Sequence, residues 1–182
     1  MVKMIDKRGL EKLFSDHGYD DYTWIKARDI VVAQWVRMKC MFGCGSYGEN
    51  AACPPNTPSV DECRRFFGEY TDCVVFHFEK RLDDPKKRDE WSREINKKLL
   101  KLERNVFISG YEKAYLLFMD ECRLCAECAG TKLDCKNTKD ARPCPEGMSV
   151  DVFSTVRKYG LPIEVLREYN EPMNRYAFLM IE

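Results

Sequence analysis

Apolar and β-branched residues fall into four short runs that predict β-strands. The runs cover residues 30–36, 73–78, 111–119 and 176–181. Each is rich in valine, isoleucine, leucine or aromatic residues, and its length is typical of a buried strand. The chain therefore predicts a sheet of four strands.

Three segments between or beside these runs predict α-helices. Residues 59–70 open with a Ser-Val-Asp-Glu capping box. Residues 85–109 follow an aspartate N-cap, begin with proline and then carry apolar residues at helical spacing. Residues 149–160 form a shorter helix that a glycine ends.

The order of these elements, β-α-β-α-β-loop-α-β, alternates strands with helices. Such alternation favours an α/β fold, in which a mainly parallel or mixed four-stranded sheet has flanking helices and right-handed crossovers. The alternative is an α+β fold with the last strand antiparallel. Neither an internal repeat nor a Gly/Ser linker divides the chain, so we expect residues 1–182 to form a single domain.

Charge and hydropathy exclude several classes of partner. Lysine plus arginine equals aspartate plus glutamate at 30 each, so the chain lacks the basic excess that nucleic acid or an anionic membrane attracts. Residues 1–8 contain no apolar core of signal-peptide length, and no run of about 18 apolar residues occurs. The sequence therefore predicts a soluble cytoplasmic protein without nucleic-acid or membrane contacts.

Ten cysteines are the most informative feature of the composition. A small secreted protein would pair them as disulfides, but this chain is longer than about 100 residues, has no export signal and groups cysteines two residues apart. In a reducing compartment such thiols stay free to bind metal. The sequence therefore favours metal binding over a disulfide framework.

Two groups of cysteines are separated along the chain, and we name the later one the second thiol group. It comprises Cys122, Cys125, Cys128 and Cys135. Its first three members have the C-x-x-C-x-x-C spacing of bacterial-type ferredoxins, in which thiolates hold three corners of one [4Fe–4S] cluster. Cys135 can fold back as the fourth ligand, whereas Cys144 precedes a proline like the distal cysteine that ligates the other cluster of two-cluster ferredoxins. Zinc is the alternative metal, but zinc ribbons usually place about 12 or more residues between two C-x-x-C knuckles.

The first thiol group comprises Cys40, Cys44 and Cys53 in a glycine-rich turn. Glycines let backbone amides approach a cluster's sulfurs, where hydrogen bonds stabilise its negative charge. The fourth ligand is open between Cys63, which lies near the positive end of a predicted helix, Cys144 and an exogenous group. A zinc knuckle or merely buried thiols is the simpler interpretation. The sequence thus predicts one [4Fe–4S] cluster and leaves a second open.

The two thiol groups are expected to lie side by side. One follows the predicted strand 30–36 and the other follows the predicted strand 111–119. The carboxyl ends of parallel strands share one edge of a sheet, which places the groups within roughly 10–15 Å of each other. Cys73, in contrast, stands among valines in a predicted strand and is expected to be a small core residue.

These residues resemble the DUF2284 family of predicted metal-binding proteins of archaea and anaerobic bacteria. The resemblance covers most of the chain and implies metal binding by both thiol groups, without a settled activity. At Cys63 and Cys144 this chain departs from the family pattern, which usually has small hydroxyl residues there. The resemblance is carried by Trp35-Val36-Arg37-Met38-Lys39-Cys40, Gly43-Cys44, Tyr47-Gly48, Cys53-Pro54-Pro55, Cys122, Cys125, Cys128, Cys135, Arg142-Pro143, Glu146 and Val150-Asp151-Val152-Phe153.

Three functional hypotheses follow, and they differ in what the metal does. The leading one is an iron–sulfur redox protein that carries single electrons to or from a redox protein partner in anaerobic metabolism, since no nucleotide-binding loop or catalytic triad is found. The second is an enzyme or carrier whose site-differentiated cluster at Cys40, Cys44 and Cys53 binds a small sulfur-bearing or organic ligand. The third is a zinc-stabilised interaction module. The sequence leaves open whether the chain forms a homo-oligomer.

Overall fold

The computed structural model describes residues 5–182. Residues 1–4, the start of the segment without a signal-peptide core, lie outside this part. Within it, no helix combines the length and the apolar character needed to cross a membrane. In chain order, the helices and strands are α1 (Lys7–Asp16), β1 (Tyr22–Lys26), α2 (Gln34–Gly43), α3 (Val60–Gly68), β2 (Asp72–Lys80), α4 (Pro85–Ile108), β3 (Tyr115–Leu117), α5 (Val152–Arg157) and β4 (Met173–Met180), with 3-10 helices at Ala27–Asp29 and Glu146–Met148.

The sheet has the strand order β1-β2-β4-β3, and every neighbouring pair is antiparallel. The expected mainly parallel or mixed α/β sheet is therefore wrong, and the fold is α+β. Strands β2 and β3 do run in the same direction, because each is antiparallel to β4. The last strand, however, inserts between them, so that helix α4 connects two strands that never pair.

Helices cover both faces of the sheet, which explains why the central strands read as continuous apolar runs. On one face Cys73, Val75 and Phe178 belong to a core with α3 and α5. On the other face Val74 and Phe76 pack with α1 and α4. The parallel prediction rested on the alternation of strands and helices, and this antiparallel sheet shows the same alternation.

Two of the four predicted strands contain little β-structure. In residues 30–36, Val32 forms one isolated antiparallel bridge with Val150, and helix α2 then begins at Gln34. In residues 111–119, only the three residues of β3 pair in the sheet. Helix α1 and strand β1 were not predicted. The capping box of α3, with Ser59 as N-cap, and the proline start of α4 are confirmed.

Candidate metal centre

A cavity of about 380 Å³ opens where strand β3 ends and strand β4 begins. The first thiol group lines this cavity together with Cys144. Cys53 and Cys144 are buried, Cys40 is partly buried and Cys44 is exposed. Four thiols from three separate parts of the chain thus surround one space.

Short backbone pairing explains how Cys144 reaches the first thiol group. The bridge between Val32 and Val150 is extended by hydrogen bonds from the Ala33 N–H to the Ser149 carbonyl (2.9 Å) and from the Asp151 N–H to the Val31 carbonyl (2.8 Å). Helix α2 begins directly after this pairing and the 3-10 helix Glu146–Met148 ends directly before it. The helix that carries Cys40 is therefore held beside the segment that carries Cys144.

Arg37 strengthens this arrangement from inside the protein. It is buried in helix α2, and its guanidinium donates hydrogen bonds to the Pro58 carbonyl (2.8 Å) and the Gly147 carbonyl (3.2 Å). The Thr57 hydroxyl donates to the same Gly147 carbonyl at 2.9 Å. One cation thus links α2, the loop after Cys53 and the turn after Cys144.

The buried thiols around the cavity are disfavoured as free thiolates. Burial, followed by the charges of Glu121, Cys44 and Cys40, raises the pKa of Cys53 to about 12. Burial also raises the pKa of Cys144 well above its usual range, although the Gly147 N–H donates to its Sγ at 3.3 Å. Positive charge from a bound metal would stabilise these thiolates, since metal ligands must be deprotonated.

The second thiol group gathers in the long loop between β3 and α5. Burial raises the pKa of Cys122, and the charges of Cys128 and Cys135 raise it further, whereas the backbone N–H groups of Leu124 and Arg142 lower it. Asn137 follows Cys135 by two residues and donates from Nδ2 to the Cys125 Sγ at 2.9 Å. Cys122 is thus near Cys128 and Cys135, and the segment that follows Cys135 contacts Cys125.

Two asparagines join the loops that carry the two thiol groups. Asn50 is buried and donates from Nδ2 to the Cys122 carbonyl at 2.8 Å. Asn56 donates from Nδ2 to the carbonyls of Gly130 (2.9 Å) and Asn50 (3.1 Å). Ala51 lies two residues before Cys53 of the first thiol group, and its N–H donates to the Cys128 Sγ of the second thiol group at 3.3 Å. The two thiol groups therefore adjoin.

From the sequence, the two thiol groups were expected to be close because both would follow parallel strands, and this explanation is wrong. In the described part of the chain the two groups do not follow parallel strand ends, because Cys40 lies within helix α2 and the sheet is antiparallel. Side-chain amides between loops hold the groups together instead. The sequence did not single out Asn50, Asn56 or Asn137, and their only visible signal is the presence of asparagine inside cysteine-rich turns.

Two cysteines lie away from the thiol groups. Cys63 is fully buried in helix α3 within the hydrophobic core, and its Sγ donates to the Pro58 carbonyl at 3.5 Å instead of lining the cavity. Cys73 is fully buried in β2, where burial raises the pKa of its thiol. His77 is hydrogen-bonded to Asp21 (2.8 Å) and Asn174 (2.7 Å), and it is not among the residues that line the cavity.

Charged side chains form the remaining wall of the cavity. Arg123 makes ion pairs with Asp89 (3.1 Å) and Glu121, and Arg175 pairs with Asp120 at 3.3 Å. Glu146 also lines the cavity, and its surroundings, mainly through burial, raise the pKa of its carboxyl group. The wall is thus a rim of ion pairs beside the thiols.

The donor set fits a sulfur-ligated metal group. Both thiol groups supply soft sulfur donors, and N–H groups donate to the sulfurs of Cys125, Cys128 and Cys144. Sulfur ligands with N–H donors are the combination that holds iron–sulfur clusters. Among residues 5–182, no three His, Cys, Asp or Glu side chains come close enough together to hold a single metal ion. The thiols beside the cavity instead line a wider space, which they share with charged side chains.

Comparison with known proteins identifies the family. The model of the DUF2284 family, described as a predicted metal-binding protein, matches residues 23–181. No curated protein and no solved structure matches the chain. The matched region contains both thiol groups and nearly the whole chain, in agreement with the resemblance noted in the sequence. The chain therefore belongs to the DUF2284 family of predicted metal-binding proteins.

Proposed function

We propose that this protein is an electron carrier with two [4Fe–4S] clusters. We assign eight thiols to two sets of four, and the observation that carries the proposal is that Cys144 lines the cavity together with the first thiol group. The first set adds Cys144 to the first thiol group, and the second set is the second thiol group. The ligands of the two clusters are then Cys40, Cys44, Cys53 and Cys144, and Cys122, Cys125, Cys128 and Cys135.

The space between the thiols supports clusters over single zinc ions. Four thiolates on one zinc ion, with Zn–S bonds of about 2.3 Å, lie about 4 Å from one another. Thiolates of a cubane each bind a different iron and stand around an inorganic core. A cavity of about 380 Å³, which Cys40, Cys44, Cys53 and Cys144 line together with charged side chains, leaves room for the second arrangement.

Hydrogen bonds to sulfur support the same assignment. The Gly147 N–H reaches the Cys144 Sγ at 3.3 Å, the Ala51 N–H reaches the Cys128 Sγ at 3.3 Å and the Asn137 amide reaches the Cys125 Sγ at 2.9 Å. Such bonds stabilise the negative charge of a cluster and set its reduction potential. A bound cluster supplies one-electron chemistry, and the chain supplies the ligands, the N–H donors and the low-dielectric surroundings.

Cys144 favours electron transfer over the hypothesis of an open iron. A reactive metal site keeps one coordination position for a ligand, whereas a structural or electron-transfer site is closed by the protein. With Cys144 on the wall, the first set supplies four thiols, so no exogenous ligand is needed to complete it. Adjacent clusters also allow an electron to pass from one to the other within the chain.

Anaerobic purification followed by redox titration tests this function. We expect a brown protein with a broad absorption shoulder near roughly 400 nm that dithionite bleaches. Potentiometric titration followed by EPR should show two reversible one-electron reductions per chain. A colourless protein with zinc and without acid-labile sulfide would contradict the proposal and favour the zinc-stabilised module.

A further inference from the structure

Helix α2 presents large apolar side chains to solvent. Trp35, Met38, Met41 and Phe42 are exposed by 47%, 44%, 40% and 78%. Single exposed apolar residues are ordinary on a protein surface, but a contiguous patch marks an interaction site. Met38 lies three residues after Trp35, and Met41 and Phe42 lie three and four residues after Met38, which places the four on one side of the helix. We name this surface the α2 apolar patch.

The patch adjoins the most accessible thiol of the first thiol group. Helix α2 buries Val36 and Arg37 on its inner face, and the patch occupies the outer face. Cys44 caps the end of this helix, only two residues after Phe42, and is itself exposed. A molecule seated on the patch would therefore lie beside the outer edge of a metal group held by these cysteines.

The size of the patch indicates what kind of partner fits it. With aromatic side chains offering about 150–250 Å² each, the exposed fractions correspond to roughly 400 Å² of apolar surface. A stable dimer usually buries about 800 Å² per partner, whereas transient electron-transfer complexes bury less than about 600 Å² per partner. The area matches a transient encounter and falls short of a permanent interface with a second copy.

The charge on the patch is also suited to brief contact. Lys39 is the charged residue on the exposed side of α2, and its Nζ lies 5.0 Å from the centre of the Trp35 ring. Its cation is thus partly held by the indole face and does not need a carboxylate on the partner. Apolar contact around one cation gives orientation without the buried ion pairs that slow dissociation.

We propose that the α2 apolar patch is the docking surface for a small soluble redox protein, which exchanges electrons with the centre at Cys44. This inference rests on the proposed electron-carrier function. In the exchange, one electron leaves the reduced cofactor of the partner, which is oxidised by one electron, and reduces the chain by one electron. No bond forms or breaks and no proton is transferred.

Stopped-flow reduction of the cluster-loaded protein tests the docking surface. The variant is Trp35→Ser/Phe42→Ser, and the matched control is Ile108→Ser, since Ile108 is 67% exposed at the end of α4. The electron donors are a reduced ferredoxin, a reduced flavodoxin and the methyl viologen radical, which needs no docking surface. We expect the double variant to react about tenfold or more slowly with at least one of the two proteins, as loss of two aromatic contacts implies. Its rate with viologen and its iron content should equal those of the wild type and of the control.

The outcomes separate this inference from the proposed function. Equal rates of the double variant and the wild type with both proteins would overturn the docking surface, and so would a wild type that viologen reduces but neither protein does. A wild type that viologen cannot reduce would instead refute the electron-carrier function. A wild-type dimer in gel filtration that the double variant abolishes would assign the patch to a second copy. Binding of the wild type, but not of the variant, to anionic lipid vesicles would assign it to a membrane, and either result overturns the proposal.

Discussion

Substitution of Asn50 should affect both thiol groups. The side chain is 7% exposed, donates to the Cys122 carbonyl at 2.8 Å and accepts from the Ala52 N–H at 2.9 Å. In Asn50→Ala, the buried Ala52 N–H loses its partner at a cost of about 1–3 kcal/mol, and the partly solvated Cys122 carbonyl loses a bond worth about 0.5–1.5 kcal/mol. The free energy of unfolding should therefore fall by about 1.5–4.5 kcal/mol.

The measurement is anaerobic urea unfolding of the metal-loaded protein, with iron counted before and after exposure to a chelator. Asn170→Ala is the matched control, because Asn170 is exposed and its loss should change stability by at most about 0.5 kcal/mol. Asn50→Asp separates the two bonds, since it keeps an oxygen for the Ala52 N–H and removes the donor to Cys122. If Asn50→Ala costs no more than Asn170→Ala and loses no more iron, the idea that side-chain amides hold the two loops together is wrong.

Three further predictions, which use five substitutions, test the roles of individual residues. Cys125→Ala should remove most of the iron of the second thiol group, whereas Cys73→Ala should cost about 1–2 kcal/mol of packing and leave the iron content unchanged; equal iron loss in both would contradict the core role of Cys73. Cys144→Ser should deplete the first cluster, as measured by iron content and EPR, and Cys63→Ser should not, since only Cys144 lines the cavity; the reverse ranking would exchange their assignments. Arg142 forms an ion pair with the buried Glu103 at 2.9 Å. Arg142→Ala should lower the free energy of unfolding by about 3–5 kcal/mol in urea titrations, because it leaves the Glu103 carboxylate buried without its cation. A loss below about 1 kcal/mol would show that the pair behaves as a surface ion pair.

Local signals in the sequence were sufficient for some elements and insufficient for the sheet. The Ser59 capping box and the proline start of α4 depend on neighbouring residues alone, and both helices form where those residues predict. Strand pairing depends on residues far apart in sequence, such as Cys73 opposite Met180. No local pattern shows that β4 inserts between β2 and β3, which is why the parallel expectation failed.

The thiol groups show the same difference between local signals and contacts that are distant in sequence. Spacing alone grouped Cys122, Cys125 and Cys128, because the signal lies within seven residues. The association of Cys144 with Cys40 depends on the bridge between Val32 and Val150, which the sequence presented as part of a longer strand. Sequence reasoning therefore left the fourth thiol open between Cys63 and Cys144, and the fold places only Cys144 on the cavity.

The count of iron, acid-labile sulfide and zinc per chain in anaerobically purified protein tests the central claim most directly. Two [4Fe–4S] clusters require about eight iron atoms and about eight sulfides per chain, and the eight thiols of the two sets are the ligands that would hold them. About half of each would mean that only one set carries a cluster. One or two zinc ions per chain, with neither iron nor acid-labile sulfide, would contradict the claim.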